Sequence, residues 1–326
     1  MQAIRPRETG GAEVLKLEER ETPVPGPGQL LVRTSAIGVN FIDVYQRRGV
    51  YKVDLPLALG LEGAGVVEAI GAGAAEPAGG VVVGARVAWA SAPGSYATHV
   101  LVAAERAVPI PDGVDARQAA AIMLQGMTAH YLATDTFALR AGQTALVHAA
   151  SGGVGLLLIQ LAKRAGARVI GTVSSPEKAA LARQAGADEV ILYATQDFEE
   201  ETRRLTGGRG VDVVYDGVGA STFVKGLRVL RPRGMLALFG QSSGPVAPLD
   251  PQVLAANGSL FLTRPTLVHY TATRSELLAR AGALFELIAR GELDVRIGAT
   301  FPLANARAAH EALETRQTSG KVLLIP

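Results

Sequence analysis

The chain has 326 residues, of which 48% are hydrophobic and 19% are charged, and its formal net charge is +2. This length suffices for two hydrophobic cores, and the composition excludes an unfolded chain. The small, evenly spread charge argues against nucleic acid as the main partner. No stretch is apolar enough for a membrane span, and "MQAIRPRETGG" lacks the apolar core of a secretion signal. We therefore expect a cytoplasmic protein without a membrane partner.

The absence of cysteine excludes disulfides, thiol nucleophiles, iron–sulfur clusters and thiolate zinc sites. The chain has five histidines, and no two of them lie at ligand spacing on a common helix face: His99, His130, His148, His269 and His310. We therefore predict that the protein has no metal site.

Before residue 120, short runs of alternating apolar residues are separated by glycine and proline clusters. Examples are the runs "GAGVVEAIGAG" and "VVVGARVAWA" and the cluster "PVPGPGQ". Many short strands joined by such turns are typical of an antiparallel, partly open β-barrel. The segment "GVNFIDVYQRRGVY" (38–51) is too polar for a strand and too rich in β-branched residues for a surface helix. We expect it to be a loop that gathers polar side chains.

From residue 140 onward, apolar strand candidates alternate with segments of helical periodicity. Six strands are predicted, at 144–149, 168–173, 188–193, 211–216, 235–240 and 259–263. Apolar strands joined mostly by helices predict an α/β fold with a Rossmann-type, doubly wound parallel sheet. Two further helices are predicted at 275–291 and 304–316, before a final strand in "KVLLIP". The predicted domains are therefore 1–122 together with 265–326, and 123–264.

The segment "HAASGGVG" joins the first of these strands to a helix that we expect to begin at Gly153 or Val154. Gly152 would let a pyrophosphate approach the backbone, and Gly155 would let the helix pack closely on the strand. Ala150 stands where the usual pattern has its first glycine. The free N–H groups of the helix start favour an anion, so a dinucleotide site is predicted here. The alternative is a tight turn with no ligand.

The end of the second strand of this sheet indicates which dinucleotide binds. NAD-binding proteins usually place a carboxylate there for the adenosine ribose. This chain has Ser174 and Ser175, no acid before Glu177, and then Lys178. Serines and a lysine suit a 2′-phosphate, and one charge-assisted hydrogen bond is worth roughly 1.5–3 kcal/mol, so we predict NADPH. The alternative is that Glu177 and Lys178 are only the exposed first turn of a helix.

Motifs along the whole chain form a recognisable set: "GVNFIDVYQRRGVY", "GLEGAGVVEAIGAG", "LQGMTAHYL", "HAASGGVG", "FGQSSG", "LTRPTL" and "GKVLLIP". Together they resemble the medium-chain dehydrogenase/reductase superfamily, and more closely its zinc-independent NADPH:quinone oxidoreductases, the ζ-crystallin-like group. The resemblance implies a Rossmann domain and a GroES-like, partly open β-barrel catalytic domain.

The zinc alcohol dehydrogenases of this superfamily carry "G-x-C-H-x-D" where this chain has "GVNFID", and "G-H-E" where it has "GLE". In that comparison Asn40 stands at a cysteine ligand and Leu61 at a histidine ligand. We therefore interpret residues 38–51 as a former metal site rebuilt from hydrogen-bonding groups.

The resemblance also implies roles for individual residues. Asn40 and Tyr45 would lie beside the nicotinamide and substrate, Asp43 would brace its loop, and Tyr51 would edge the substrate pocket. Gln125 and Thr128 would lie near the nicotinamide, and Lys178 and Tyr193 would lie at the adenosine phosphate end. Phe239, Gly240, Gln241 and Ser242 would contact the cofactor at the end of a central strand. Arg264 would approach the substrate, and Arg316 would approach the cofactor phosphates. Structural roles are the alternative for Tyr45, Tyr51, Gln125 and Arg264.

These observations predict transfer of hydride or electrons from NADPH to a quinone without a metal, with Asn40, Tyr45 and Arg264 as hydrogen-bond donors. One alternative is an NADPH-dependent reductase of α,β-unsaturated ketones or aldehydes. Another is a non-enzymatic RNA-binding or crystallin-like protein. The segment "SLFLT" would be an exposed sheet edge, so we expect a homodimer, which could assemble further into a tetramer.

Overall fold

The computed structural model describes residues 1–76 and 78–326. The chain forms two compact units, the first from Met1–Met127 and Thr271–Pro326 and the second from Thr128–Tyr270. Within the described residues, every helix is too short or too polar to cross a membrane.

Strands and helices succeed one another along the whole chain. The strands are β1 Gln2–Ile4, β2 Leu17–Glu19, β3 Gln29–Val39, β4 Gly63–Ile70, β5 Arg86–Trp89, β6 His99–Ala103, β7 Val108–Pro109, β8 Thr144–Val147, β9 Arg168–Val173, β10 Glu189–Leu192, β11 Val211–Asp216, β12 Leu230–Leu238, β13 Phe261–Thr263, β14 Ile297–Pro302 and β15 Lys321–Ile325. The helices are α1 Phe41–Arg47, α2 Ala116–Ile122, α3 Gln125–Tyr131, α4 Gly153–Arg164, α5 Pro176–Gln184, α6 Phe198–Leu205, α7 Phe223–Arg228, α8 Gln252–Ala256, α9 Leu267–Tyr270, α10 Arg274–Ala289 and α11 Ala306–Glu314.

The second unit contains a six-stranded sheet in the order β10-β9-β8-β11-β12-β13. All neighbouring strands are parallel. Every residue of β8 and of β11 is buried, as expected for central strands covered by helices on both faces. The strand order is that of a doubly wound dinucleotide-binding sheet, so the predicted fold class is confirmed.

Several predicted strand boundaries differ from the structure, among them the start of β12 and the end of β8. β12 begins at Leu230 instead of residue 235, because it pairs with β11 from Leu230 onward across a register shift. β8 ends at Val147, since Ala149 has a φ of +51° and cannot continue the strand.

The first unit contains a seven-stranded sheet in the order β14-β15-β3-β4-β5-β7, with β6 paired to β3. Most pairs are antiparallel, but β14 and β15, which lie outside the segment for which antiparallel strands were predicted, are parallel. The reason is that α11 lies between these strands and provides a crossover connection. No described pairing joins β14 to β7, consistent with a partly open barrel.

The prediction of a loop over residues 38–51 is wrong at its centre, where Phe41–Arg47 forms helix α1. The backbone N–H of Asn40 donates to Asp43 Oδ2 at 2.8 Å, which satisfies a free group at the helix start. Asp43, Val44 and Arg47 are buried. Local capping and tertiary burial therefore outweigh the weak helix propensity of the β-branched residues.

Candidate active site

The glycine loop of the second unit has the geometry of a phosphate-binding turn. Helix α4 begins at Gly153, as predicted, and Gly152 N–H donates to the carbonyl of Ala149 at 2.9 Å. A Cβ at Gly155 would lie 2.5 Å from the carbonyl oxygen of Ala149, so only glycine fits. The loop follows β8, which lies between β9 and β11 where the strand order reverses. These residues fit a dinucleotide pyrophosphate.

The carboxyl ends of β9 and β10 lie beside this loop. Val173 is paired with Leu192, so the residues that follow them, Ser174 and Tyr193, lie at the same edge of the sheet. Ser175 caps helix α5, and its side chain accepts a hydrogen bond from the backbone N–H of Lys178. The residue that follows β9 is therefore a serine, and no carboxylate stands at the position on which the NADPH prediction depends.

The loop after β12 is tied closely to the end of β11. The backbone N–H groups of Phe239 and Gly240 donate to the carbonyl of Asp216, and that of Ser242 donates to Gly217. A Cβ at Gly240 would lie 2.4 Å from the carbonyl oxygen of Gly217. The segment 239–242 is therefore held at the carboxyl edge of the sheet, where open α/β sheets bind ligands.

Other predicted residues are placed by the ends of elements. Arg264 follows β13 directly, is exposed, and donates from Nη1 to the carbonyl of Leu238 at 3.0 Å. Thr128 is buried in helix α3. Arg316 follows α11 in the first unit, with an exposed side chain and a φ of +58°.

In the first unit, Asn40 lies at the centre of a buried polar network. Its Nδ2 donates to Glu62 Oε2 at 2.8 Å, and its Oδ1 accepts from Lys321 Nζ at 2.9 Å and from Gln125 Nε2 at 3.0 Å. Lys321 Nζ also donates to Glu62 Oε2. Glu62 is 0% and Lys321 is 2% exposed. The amide of Asn40 is thus fully engaged inside the protein.

Glu62 and Lys321 were not predicted as site residues, although both lie in family motifs, "GLE" and "GKVLLIP". A lysine that opens an otherwise apolar, buried strand was the available signal, because an ammonium group is almost never fully buried unless it is paired.

A second buried chain of hydrogen bonds ends at Asp43. The hydroxyl of Tyr96 donates to Asp43 Oδ2 at 3.1 Å. The same hydroxyl oxygen of Tyr96 lies 2.9 Å from His310 Nε2. Nδ1 of His310 lies 3.4 Å from Arg47 Nη1. Arginine can only donate, so Nδ1 is the acceptor and Nε2 carries the proton. Burial raises the pKa of Asp43 to about 7 and lowers the pKa of His310 to about 3.

Two tyrosines form an aromatic pair next to this network. The rings of Tyr45, on α1, and Tyr51 meet edge to face with centroids 5.7 Å apart. Tyr45 is half-buried and Tyr51 is 37% exposed. Gln125 is also half-buried, and its Oε1 is inaccessible to solvent and has no hydrogen-bond partner among the described residues. The first unit therefore combines planar apolar surface with an unused carbonyl acceptor.

The positions that carry zinc ligands in the resembled dehydrogenases hold no ligand set here. Asn40 is committed to hydrogen bonds, and Leu61 has no donor atom. Across residues 1–76 and 78–326, no group of three or more histidine, aspartate or glutamate side chains is arranged to hold a metal ion. The cation at this place is the ammonium group of Lys321.

The fold and the glycine loop define a medium-chain dehydrogenase/reductase. Residues 26–112 match the family model "Alcohol dehydrogenase GroES-like domain", and residues 153–284 match "Zinc-binding dehydrogenase". The sequence is 47% identical to a quinone oxidoreductase of Pseudomonas aeruginosa over 97% of each chain. It is 43% identical to a 2-haloacrylate reductase of Burkholderia, covering 97% of this chain and 96% of the relative.

The crystal structure of Escherichia coli quinone oxidoreductase complexed with NADPH superposes on the whole chain with a TM-score of 0.97 and 41% identity, and all of that chain is covered. The chain belongs to the quinone oxidoreductase family of this superfamily. The family resemblance read from the motifs is therefore confirmed.

Proposed function

We propose that this protein is an NADPH-dependent quinone reductase that works without a metal ion. The proposal depends on the two positions that hold zinc ligands in the resembled dehydrogenases. Here Asn40, whose amide is fully engaged in hydrogen bonds, and Leu61 stand in place of cysteine and histidine. A simple ketone would need a Lewis acid or a strong proton donor to accept hydride. A quinone is already electron-poor, so hydrogen-bond donors suffice for the charge that develops on its oxygen.

The second unit would hold the cofactor, and bound NADPH would supply the hydride. The proposed contacts are Ala150, Gly152, Gly153, Val154 and Gly155 to the pyrophosphate, Ser174, Lys178 and Tyr193 to the 2′-phosphate end, and Thr128, Phe239, Gly240, Gln241 and Ser242 toward the nicotinamide. Arg316 of the first unit is proposed to approach the cofactor phosphates. The glycine geometry and the absence of a carboxylate after β9 support these assignments.

The acceptor would lie against the aromatic pair Tyr45 and Tyr51, whose ring surface suits a flat apolar molecule. The phenol of Tyr45 and the guanidinium of Arg264 are the proposed donors to its oxygens. Asn40 has no amide hydrogen to spare and Asp43 is fully buried. We therefore propose a positioning role for Asn40 in place of the direct role expected from the sequence, and we keep for Asp43 the bracing role that was expected.

The test is oxidation of NADPH and of NADH with several quinones in the presence of a chelator. We expect turnover with NADPH and quinones that is unaffected by chelation. A requirement for added zinc, or turnover only with alcohols and NAD, would show the proposal to be wrong.

A second candidate, reduction of α,β-unsaturated carbonyl compounds, is favoured by the 43% identity to the 2-haloacrylate reductase. In both acceptors a carbonyl group is conjugated with a carbon–carbon double bond, so the same site could serve either. Rates with 2-chloroacrylate, an enone and a quinone, measured side by side, would separate them. A kcat/KM for an unsaturated acid or enone well above that for every quinone would favour the second candidate.

We also propose that the protein is a cytoplasmic homodimer. Strand β13 is the outermost strand of its sheet, and Phe261 and Leu262 on it are 58% and 37% exposed. Pairing with a second copy would cover this edge. Light scattering should give the mass of a dimer, and Phe261→Arg should shift it toward the monomer.

A further inference from the structure

Glu62 and Lys321 form an ion pair that is unusual in its burial, with both side chains almost completely removed from solvent. Removing two charges from water is costly, and apolar residues of similar volume often give equal or greater stability. Stability alone therefore gives a weak reason for charges at this place. The geometry around the pair provides another reason.

The pair fixes the amide of Asn40 in one orientation. Its Oδ1 faces two donors, the ammonium of Lys321 and the amide of Gln125, while its Nδ2 faces the carboxylate of Glu62. Turning the amide over would place Nδ2 against the ammonium and Oδ1 against the carboxylate. Both contacts would be repulsive, so the flipped amide is excluded.

The same network holds Gln125 from two sides. Its Nε2 donates to Asn40 Oδ1 at 3.0 Å, and the preceding residue, Leu124, donates its backbone N–H to Glu62 Oε1. Because Nε2 points to Asn40, the carbonyl Oε1 points away from the network, and it is the buried amide atom without a described partner. The network therefore holds the side-chain amide of Gln125 in one orientation, with a buried carbonyl oxygen that has no described hydrogen-bond partner.

We propose that Lys321 is a positioning residue for the reaction. Its ammonium group fixes Asn40 and, through Asn40, the carbonyl of Gln125, at the position where the zinc dehydrogenases bind their metal. Lys321 has no contact with substrate in this scheme and transfers no proton. The expected effect on turnover rests on the proposed function, whereas the fixed orientation of the two amides does not.

The test uses variants that separate positioning from the cost of burying one charge. Lys321→Met alone leaves Glu62 unpaired and is expected to melt early. The double variant Glu62→Gln with Lys321→Met removes both charges and is expected to melt near the wild type. The matched control is Lys163→Met, which breaks the exposed Lys163–Asp188 pair of 2.8 Å in the second unit.

For the double variant we expect kcat with a quinone to fall about tenfold or more, with KM for NADPH unchanged. The Lys163→Met control should keep both values. A double variant that is folded and retains the full kcat would overturn the proposal, because the amides would then act without the ammonium.

A readout that needs no turnover is hydrogen exchange of the side-chain amides of Asn40 and Gln125, followed by NMR in the ligand-free protein. Asn40→Ala and Gln125→Ala identify the resonances. We expect slow exchange in the wild type and the control, and fast exchange in the double variant. Equal exchange in all three would refute the positioning role, even if quinones are reduced. If no quinone is reduced, the proposed function is wrong. The positioning role would still be supported if amide exchange were slow in the wild type and the control and fast in the double variant.

Discussion

The buried carboxyl of Asp43 should make the stability of the first unit depend on pH. Loss of solvation raises its pKa, while the N–H of Asn40, the charge of Lys321 and the hydroxyl of Tyr96 act in the opposite direction. A pKa that rises from 3.8 to about 7 on folding costs about 4 kcal/mol of stability once both states are ionised. Asp43→Asn removes the titrating group and keeps the shape of the side chain and an oxygen that can accept from Asn40 N–H and the Tyr96 hydroxyl.

The direction of this pH dependence follows from the number of protons bound by the folded and the unfolded chain. Between pH 4 and 7 the unfolded chain has released the proton of Asp43 and the folded chain has kept it, so this residue's contribution to stability falls as pH rises. His310, whose folded pKa is about 3, contributes in the opposite sense, because its unfolded form binds a proton below its ordinary pKa. His310 is present in both proteins, so the difference between wild type and variant isolates Asp43.

The assay is guanidinium unfolding at pH 4.5, 5.5, 6.5 and 7.5, followed by the fluorescence of Trp89. This tryptophan is the single one in the chain and is buried in the first unit. We expect similar stability at pH 4.5 and an advantage for the variant that grows to about 4 kcal/mol near pH 7.5. Asp54→Asn, on the surface of the same unit, controls for the loss of a carboxylate. A difference that does not change with pH would refute the reasoning, since the buried hydrogen bonds would then offset desolvation.

Three further outcomes follow from the contacts. Gly155→Ala would place a Cβ 2.5 Å from a backbone carbonyl oxygen, so it should cost about 1–3 kcal/mol of stability and weaken NADPH binding in a fluorescence titration. Ser174→Asp should lower the ratio of kcat/KM for NADPH to that for NADH by about ten- to a hundredfold; an unchanged ratio would remove Ser174 from the phosphate site. Arg47→Met removes a fully buried guanidinium that pairs with the half-buried Glu314, so urea unfolding should show a loss of about 3 kcal/mol. Arg48→Met, which breaks the exposed contact to the same glutamate, should cost about 1 kcal/mol or less, and equal losses would contradict the role of burial.

Local patterns were sufficient to predict the second unit. The six apolar strands and the glycine loop follow from residues that are neighbours in the chain. A buried strand and a tight turn each produce a recognisable sequence pattern within about ten residues. The start of α4 at Gly153 was predicted for the same reason. The start of β12 was missed, because its first residues belong to the strand through pairing with β11, a segment that is distant in the chain.

The amino-acid sequence alone was enough to predict the fold class, the family and the glycine turn that precedes α4. Only the tertiary structure brought Asn40, Glu62 and Lys321 together, from positions as far as 281 residues apart. The structure also shows that Phe41–Arg47 forms a helix and that the amide of Asn40 already makes hydrogen bonds within the protein. Hydrogen bonds between distant segments depend on strand register and burial, and these leave no periodic pattern in either segment. A motif can therefore mark Asn40 as a candidate site residue, but its hydrogen-bond partners determine whether it can contact a ligand.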